Sequence, residues 1–222
     1  MSDWLTPADW QALWLSLRLA ALSTGILLLI SPPLAWWLAH SRGFTARLVN
    51  AAVALPLVLP PTVMGFYLLL AFAPDGPLGP LNLAFSFSGL LVGSFIYSLP
   101  FVVQPLRDAI ASIGHRPGEL AATLGAGPLD RFVHITVPLL RPGLSTAAIL
   151  GFSHTLGEFG VVLMIGGNIP GETQVLSIAL YEHVETLELA RAHRLAGSLL
   201  ALSFVLLLLI RGRRFSRTWV QP

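Results

Sequence analysis

Few residues in this sequence are of types that carry chemistry, and the clearest is an acid inside a long apolar run. The chain has 222 residues, of which 55% are hydrophobic and only 11% are charged. Glu158 lies in the run Pro142–Ile165, and His154 precedes it by four positions, so the two can pair along one helix face. Ionisable residues inside membrane segments usually have a function. We interpret Glu158 as a structural or gating residue, with direct contact to a substrate as the alternative.

Several other kinds of chemistry lack the residues that they need. The chain contains no cysteine, which excludes disulfides, thiolate nucleophiles and cysteine metal sites. Its six histidines are scattered without an H-E-x-x-H pattern, and Ser145 and Ser153 show no triad arrangement. All thirteen basic residues are arginine, which excludes a P-loop and a Schiff base. We therefore predict a protein that is not an enzyme, with no cofactor, no metal site and no nucleic-acid partner.

A second group of polar residues interrupts the apolar chain between residues 116 and 138. Prolines and an acid suit the first turns of helices, and glycines permit the left-handed backbone that ends one. The pattern predicts a helix, a tight turn and a second helix, with ends marked by Pro117, Glu119, Gly125, Gly127, Pro128 and Pro138. Its alanines and leucines form a compact, partly apolar surface. Such a surface is typical of a partner site or of a helix that lies on lipid headgroups.

Long apolar segments must position these groups. A helix needs about 20 residues to cross the roughly 30 Å hydrocarbon core of a bilayer. We predict an all-α polytopic membrane protein that forms one domain over residues 1–222. Its five predicted spans are Leu19–Ala39, Leu48–Ala73, a stretch within Phe85–Leu106, Pro142–Ile165 and Leu195–Ile210. Thr173–Glu188 is too polar for a full span, but its first half could re-enter the membrane as a short sixth one.

The arginines predict the orientation of the chain. Ten of the thirteen follow the first, third or fifth span and fall on one side if the spans alternate, whereas the loop around Gly79 has none. By the positive-inside rule, the N-terminus is outside, and the C-terminus and residues 116–138 are cytoplasmic. Arg18 lies near the outer end of the first span, where it can snorkel. Trp36 and Trp37 fit an aromatic belt at the inner end of that span.

Two places within the spans predict local disruption. Pro56, Pro60 and Pro61 free backbone carbonyls and bend the second span, which is tolerated only inside protein or beside a cavity. These prolines either line a pore or form a packing kink. Gly157 and Gly160 flank Glu158 and allow close helix approach. They favour a gate or close packing between two copies of the chain.

The spacing of residues 119–138 resembles a known motif. The chain reads Glu119-Leu120-Ala121, three residues, Gly125, nine residues, and then Ile135-Thr136-Val137-Pro138. This is similar to the EAA loop of ABC-importer permeases, with Leu120 in place of an alanine and Val137 in place of a leucine. The resemblance implies a coupling loop over residues 116–138 that docks on a separate ATPase subunit. Its coupling residues are Glu119, Leu120, Ala121, Ala122, Gly125, Ala126, Ile135 and Pro138.

Two further stretches, Leu55–Leu70 and Leu156–Gln174, resemble the molybdate branch of that family. The resemblance implies a type I importer permease fold and a homodimer in a bacterial inner membrane. It also implies an extracytoplasmic oxyanion-binding protein and two ATPase subunits as partners. Together with the helix breaks, it indicates a translocation path or gate at Pro56, Pro60, Pro61, Gly157, Glu158, Gly160 and Asn168.

Three other interpretations remain open. Sulfate or thiosulfate permeases and tungstate permeases share part of the pattern. An ion-coupled secondary transporter usually shows inverted repeats, which the sequence does not display. An intramembrane enzyme would need a catalytic pair, and none stands out.

Overall fold

The computed structural model describes residues 4–114 and 116–215, and every regular element in these ranges is helical. The long helices are α1 (Pro7–His40), α4 (Phe87–Ile113), α7 (Val137–Leu156) and α10 (Leu189–Phe215). The shorter helices are α2 (Phe44–Ala54), α3 (Pro61–Phe72), α5 (Arg116–Thr123), α6 (Pro128–Arg131), α8 (Gly160–Gly166) and α9 (Leu176–Glu185). Single turns of 3₁₀ helix lie at Leu55–Leu57 and Gly79–Leu81, and a π-helical turn lies at Phe132–Thr136. The all-α class is confirmed, and Arg217 of the orientation prediction lies outside the described residues.

Helix α1 contains the first predicted span and extends it toward the N-terminus. A capping box fixes its start, in which Asp9 N–H donates to Thr6 Oγ1 at 3.2 Å and Thr6 N–H donates to Asp9 Oδ2 at 2.8 Å. Trp14 and Trp36 are both exposed on this helix. Their separation in sequence corresponds to a rise of about 33 Å. Because the hydrocarbon core is about 30 Å thick, the two tryptophans suit its two boundaries.

The core of the protein is a close packing of α1, α4 and α7. One buried cluster joins Leu27 of α1, Val102 and Leu106 of α4, and Ala147 of α7. Glycine permits the close approach of α7 to α4, because a Cβ added at Gly151 would lie 2.7 Å from Val102 Cγ2. The third predicted span therefore lies within α4, which continues seven residues beyond Leu106 to Ile113.

The second predicted span, Leu48–Ala73, is a broken one. The segment Phe44–Leu57 meets α3 at an angle of 111°. The N–H groups of Val58 and Leu59 both donate to Leu55 O, which ends the first part. Pro60 then adopts an extended backbone with ψ 138°, and Pro61 opens α3, where a missing N–H does no harm. The predicted proline bend is confirmed, but the segment is two helices rather than one.

The fourth predicted span, Pro142–Ile165, is wrong at both ends. The helical run begins earlier, at Pro128, and stops at Leu156, so it is a candidate span of 29 residues. Gly157 ends it with φ −91° and ψ 4°, and the separate helix α8 follows at Gly160. Glu158 is therefore not inside a continuous helix. It lies in the break between α7 and α8.

The short sixth span that was considered at Thr173–Glu188 corresponds to helix α9. Helix α9 has ten residues, a rise of about 15 Å, which is too short to cross a bilayer. It packs instead on α10 and on α1 through its buried residues, among them Leu176 and Ala179. Helix α10 contains the fifth predicted span, Leu195–Ile210. Within the described residues, α1, α4 and Pro128–Leu156 are long and apolar enough to cross a membrane, and the broken α2–α3 pair adds a fourth candidate.

Candidate functional site

The polar segment folds as a small helical projection that we call the knob, comprising residues 116–136. Its first helix, α5, ends as the sequence predicts at Gly125, which has φ +88°. Gly125 N–H donates to Ala122 O and Ala126 N–H donates to Ala121 O, each at 3.0 Å. This pair of bonds is a Schellman motif, which uses the left-handed backbone that glycine adopts without strain. Gly127 was predicted to share that conformation, but it has φ −68° and precedes α6 as its N-cap.

The second half of the knob differs from the prediction. Pro138 was expected to end the second helix, but the helical backbone continues through it into α7. The reason is the π-helical turn: Val137 N–H donates five residues back to Phe132 O. The turn resets the hydrogen-bond register, so Pro138 falls in the first turn of α7, where its missing N–H is tolerated.

The surface of the knob is apolar and open. Neither α5 nor α6 contains a buried residue. Leu120, Leu124 and Leu129 are 67%, 88% and 76% exposed. Shallow grooves lie beside them, one along Glu119 and Leu120 of α5 and one along Leu129 of α6. Exposed leucines grouped on a compact projection are typical of a surface that contacts another protein or lipid headgroups.

Polar bonds and one aromatic contact hold the knob in shape. Asp130 Oδ1 lies 2.6 Å from His134 Nδ1 across the π turn. Arg131 Nη1 donates to Gly118 O at 3.4 Å, which ties α6 to the start of α5. The Phe132 ring contacts the Trp36 ring of α1 edge-on, with centroids 6.4 Å apart. The knob therefore touches the membrane helices through Phe132 as well as through its own chain ends.

The two helix breaks of the protein lie against each other, and we call this place the junction. Helices α3 and α8 both begin there. A Cβ added at Gly160 would lie 2.7 Å from Pro61 Cβ, and one added at Gly65 would lie 2.7 Å from Met164 Cβ. The predicted path residues Pro61 and Gly160 are thus brought together. Pro56 is buried in the 3₁₀ turn, whereas Pro60 is exposed at the bend.

Glu158 is buried at this junction, where the Ser94 hydroxyl of α4 is near its carboxylate but makes no hydrogen bond of normal geometry with it. It is 4% exposed, and neither carboxylate oxygen has a hydrogen-bond partner among the described residues; the same holds for Ser94 Oγ of α4. Only its backbone is tied, because Ser177 Oγ donates to Glu158 O at 2.5 Å. The suggested pairing with His154 is wrong, since α7 ends between the two residues and the four-residue helical spacing is lost.

His154 is instead held by helix α4. Its Nδ1 is hydrogen-bonded to Ser98 Oγ at 2.9 Å, and Ser98 Oγ also lies 2.9 Å from Thr155 Oγ1. The His154 ring stacks on Phe101 with centroids 3.7 Å apart and lies near Tyr97. Sequence reasoning missed Ser98, because a serine 56 positions away carries no local signal of its partner.

Asn168, the remaining predicted path residue, lies at the other end of α8. It adopts a left-handed backbone with φ +59°. Its Nδ2 donates to Glu182 Oε2 at 3.1 Å, and Gln174 Nε2 donates to Asn168 Oδ1 at 2.9 Å. The structure therefore places Asn168 in a closed loop network between α8 and α9, apart from the junction.

A further polar cluster ties the start of α1 to the α9–α10 turn. His183 Nε2 lies 3.2 Å from Asp9 Oδ1, and His183 Nδ1 lies 3.2 Å from Glu188 Oε2. Glu188 also accepts from Arg191 Nη1 at 3.0 Å. The Thr6–Asp9 cap is recognisable in the sequence, but its link to His183 is not. Arg18, expected to snorkel, has its guanidinium 4.5 Å from the centre of the Phe87 ring.

Two features of this geometry bear on function. Broken helices meet beside a buried acid, and an apolar, exposed knob precedes α7. These features are typical of the membrane subunit of a transporter.

Comparison with known proteins gives the family. The chain belongs to the family described as the inner membrane component of binding-protein-dependent transport systems, whose family model matches residues 31–222. It is 54% identical over 219 residues to the molybdenum transport system permease protein ModB of Azotobacter vinelandii, covering 95% of this chain and 97% of that one. It is 34% identical over 189 residues to ModB of Escherichia coli K12, covering 82% of each chain.

Two further matches are more distant. A probable sulfate transport system permease protein, cysT of Zygnema circumcarinatum, is 32% identical over 207 residues, which cover 90% of this chain and 71% of that one. Among solved structures, a bacterial ABC transporter involved in import of the acidic polysaccharide alginate matches with a TM-score of 0.73 and 16% identity. The match covers 97% of this chain and 81% of that one, and it shows that the fold is that of an ABC importer permease.

Proposed function

We propose that this protein is the membrane permease subunit of an ABC importer that carries molybdate across the cell membrane. The observation that carries the proposal is the 54% identity to a ModB permease over nearly the whole of both chains. The knob supports it, because its turn at Gly125 has the geometry that the EAA-like spacing implies. The sequence contains no lysine and hence no P-loop, and we propose that the energy comes from a separate ATPase subunit.

The knob is the proposed docking element for that ATPase. Leu120, Leu124 and Leu129 supply the apolar surface, and the small side chains of Ala121 and Ala122 let a partner approach the helix closely. The two hydrogen bonds of the Schellman motif hold the knob in one shape, which lowers the entropic cost of docking. The other predicted coupling residues, Ile135 and Pro138, are half-buried near the root of the knob rather than at its tip.

The proposed assembly is a homodimer of the permease with two ATPase subunits and an extracytoplasmic oxyanion-binding protein. A single chain encloses a translocation path poorly, whereas two copies about a two-fold axis can surround such a path. The proposed orientation places the N-terminus outside and the knob in the cytoplasm of a bacterial cell, in its inner membrane. The exposed tryptophans at both ends of α1 are consistent with a helix that crosses the bilayer fully.

The junction is the proposed moving part. Alternating access requires helices that change packing without losing backbone hydrogen bonds. Helices that are already broken at Val58–Pro60 and at Gly157–Phe159 meet this requirement, because each half can tilt as a unit. Gly160 and Pro61, which touch across the junction, are the proposed gate residues with Glu158.

The test is transport by the purified complex in liposomes that contain the ATPase and the binding protein. We expect uptake of radiolabelled molybdate that depends on ATP and on the binding protein, with sulfate a weak competitor. A sulfate permease is the second candidate, favoured by the relative in Zygnema circumcarinatum. ATP-dependent uptake of sulfate without uptake of molybdate would support that candidate and reject ours. Tungstate should compete with molybdate if the path accepts large tetrahedral oxyanions.

A further inference from the structure

The knob is joined to the membrane helices at its two ends in very different ways. On the α4 side, the joint includes Gly114, which has φ +63° and ψ −166°, a backbone conformation that is essentially restricted to glycine. A Cβ added at Gly114 would meet nothing within 4 Å. On the α7 side, the π turn Phe132–Thr136 runs into α7 without a break. A displacement of the knob is therefore transmitted directly to α7, whereas rotation of the backbone at Gly114 can absorb it before it reaches α4.

The Phe132–Trp36 contact adds a third connection, to α1. Phe132 lies in the π turn, and Trp36 lies in the last turns of α1. The rings meet edge-on at 6.4 Å, a favourable aromatic geometry. Trp36 is itself held in place, because its ring stacks on His40 at 4.5 Å. The contact thus continues from Phe132 through Trp36 to His40 at the end of α1.

Helix α1 extends this connection to the opposite side of the protein. Its inner half is buried against α4 and α7 through Leu27, Ala35 and Leu38. At its outer half, Ser16 Oγ accepts from Leu176 N–H at 2.7 Å, and Asp9 contacts His183. These bonds attach α1 to both ends of α9. About 30 Å of helix separates Ser16 from Trp36.

We propose that Phe132 and Trp36 are positioning residues that transmit displacement of the knob to α1, and through α1 to α9. This inference rests on the proposed function, because it assumes that the knob receives work from an ATPase. The contact joins two elements that are far apart in sequence. Spatial position alone does not establish coupling, so the test must measure it directly.

The rival explanation is that Trp36 only anchors α1 at the membrane surface. The chain offers a matched control, because the neighbouring Trp37 is exposed to the same extent, 39%. An anchoring role predicts equal effects of Trp36→Ala and Trp37→Ala. For Phe132, the control is Leu139, which is similarly exposed but lies in the first turn of α7, outside the knob.

The experiment uses the full complex of permease, ATPase and binding protein in liposomes and measures molybdate taken up per ATP hydrolysed. The variants are Trp36→Ala, Phe132→Ala and the double variant, with Trp37→Ala and Leu139→Ala as controls. We expect each single variant to lower the ratio about three- to tenfold, the scale of one aromatic pair. The double variant should lower it no further, since both changes remove the same contact. Both controls and the amount of co-purified ATPase should stay as in wild type.

Three results would overturn the inference: additive effects in the double variant, equal loss in Trp36→Ala and Trp37→Ala, or normal ratios in both single variants. Loss of the ATPase from Phe132→Ala, with normal coupling in Trp36→Ala, would also overturn it, because Phe132 would then be a docking residue. Failure of the proposed function gives a separate result. In that case the wild-type permease neither retains the ATPase nor transports molybdate.

Discussion

Ser98 of α4 and His154 of α7 are joined by a hydrogen bond of 2.9 Å, and Glu158 is left without the partner that its sequence position suggests. The bond fixes α7 to α4 just before α7 ends at Leu156. Beyond that point the chain is tied to α9 through the backbone of Glu158, and α8 packs on both α3 and α4. The Ser98–His154 bond therefore holds α7 against α4 immediately before the break between α7 and α8.

Removal of the Ser98 hydroxyl should weaken the contact between α4 and α7. Ser98→Ala loses the bonds to both His154 and Thr155, and hydrogen bonds between membrane helices contribute about 0.5–2 kcal/mol. We expect a loss of that size in the free energy of unfolding, measured in detergent. The control is Ser112→Ala on the same helix, whose hydroxyl only donates to Ala109 O within α4. Equal stabilities of the two variants would contradict the assignment.

Glu158→Gln tests the buried acid. A buried carboxylate without a hydrogen bond of normal geometry destabilises this conformation relative to one in which it is paired or hydrated. Removal of the charge should therefore favour this conformation and slow the transport cycle, by about three- to tenfold. Unfolding should be unchanged or harder. The measurements are uptake rate and detergent unfolding, with the exposed Glu172→Gln as control. Normal transport together with normal assembly would show that the charge is not needed.

Gly160→Ala tests the packing of the junction. The added methyl group would lie 2.7 Å from Pro61 Cβ, and the proline ring cannot rotate away. Overpacking of this kind costs about 1–3 kcal/mol. Gly25→Ala is the matched control, because no atom lies within 4 Å of its added Cβ and alanine favours a helix by about 0.5–1 kcal/mol over glycine. The idea fails if the two variants unfold alike and transport alike.

Substitution in the knob should separate folding from coupling. Gly125→Val forces a β-branched residue into φ +88°, at a cost of about 1–3 kcal/mol, although the space around it is open. Ala122→Arg adds bulk and a charge that docking would bury. We expect both variants to insert and dimerise, but to lose the ATPase on co-purification and its substrate-stimulated hydrolysis. Gly118→Ala, in open space without a positive φ, should behave as wild type. Normal docking in both test variants would exclude the knob as the docking element.

Single cysteines test the orientation, because the chain has none of its own. Gly79 is unsuitable, since an added Cβ would lie within 2.4 Å of Pro74 O. Asp75→Cys and Leu124→Cys are exposed alternatives in the outer loop and the knob. A membrane-impermeant thiol reagent should label Asp75→Cys in intact cells and Leu124→Cys only in inverted vesicles. The reverse pattern would reject the proposed orientation.

The parts of the fold that the sequence predicts well are those fixed by local chemistry. Gly125 ends α5 because a left-handed residue is needed there, and Pro61 opens a helix after a proline bend. Pro138 was misread because a π turn five residues long changes the register before it, and no residue type marks such a turn. The His154–Glu158 pairing was misread for a related reason, since it assumed that α7 continues beyond Gly157. Contacts such as Ser98–His154 depend on how whole helices pack, which a single sequence does not specify.

The 111° bend has a consequence for the order in which the protein is assembled. Helix α3 has twelve residues, a rise of about 18 Å, which is too short to cross the bilayer alone. Its packing partner α8 begins at Gly160, about a hundred residues further along the chain. During synthesis, α3 therefore leaves the ribosome long before the surface that stabilises it exists. The bent segment therefore reaches its final position late, after the C-terminal half has entered the membrane. A chain truncated before α8 would leave α3 without its packing partner.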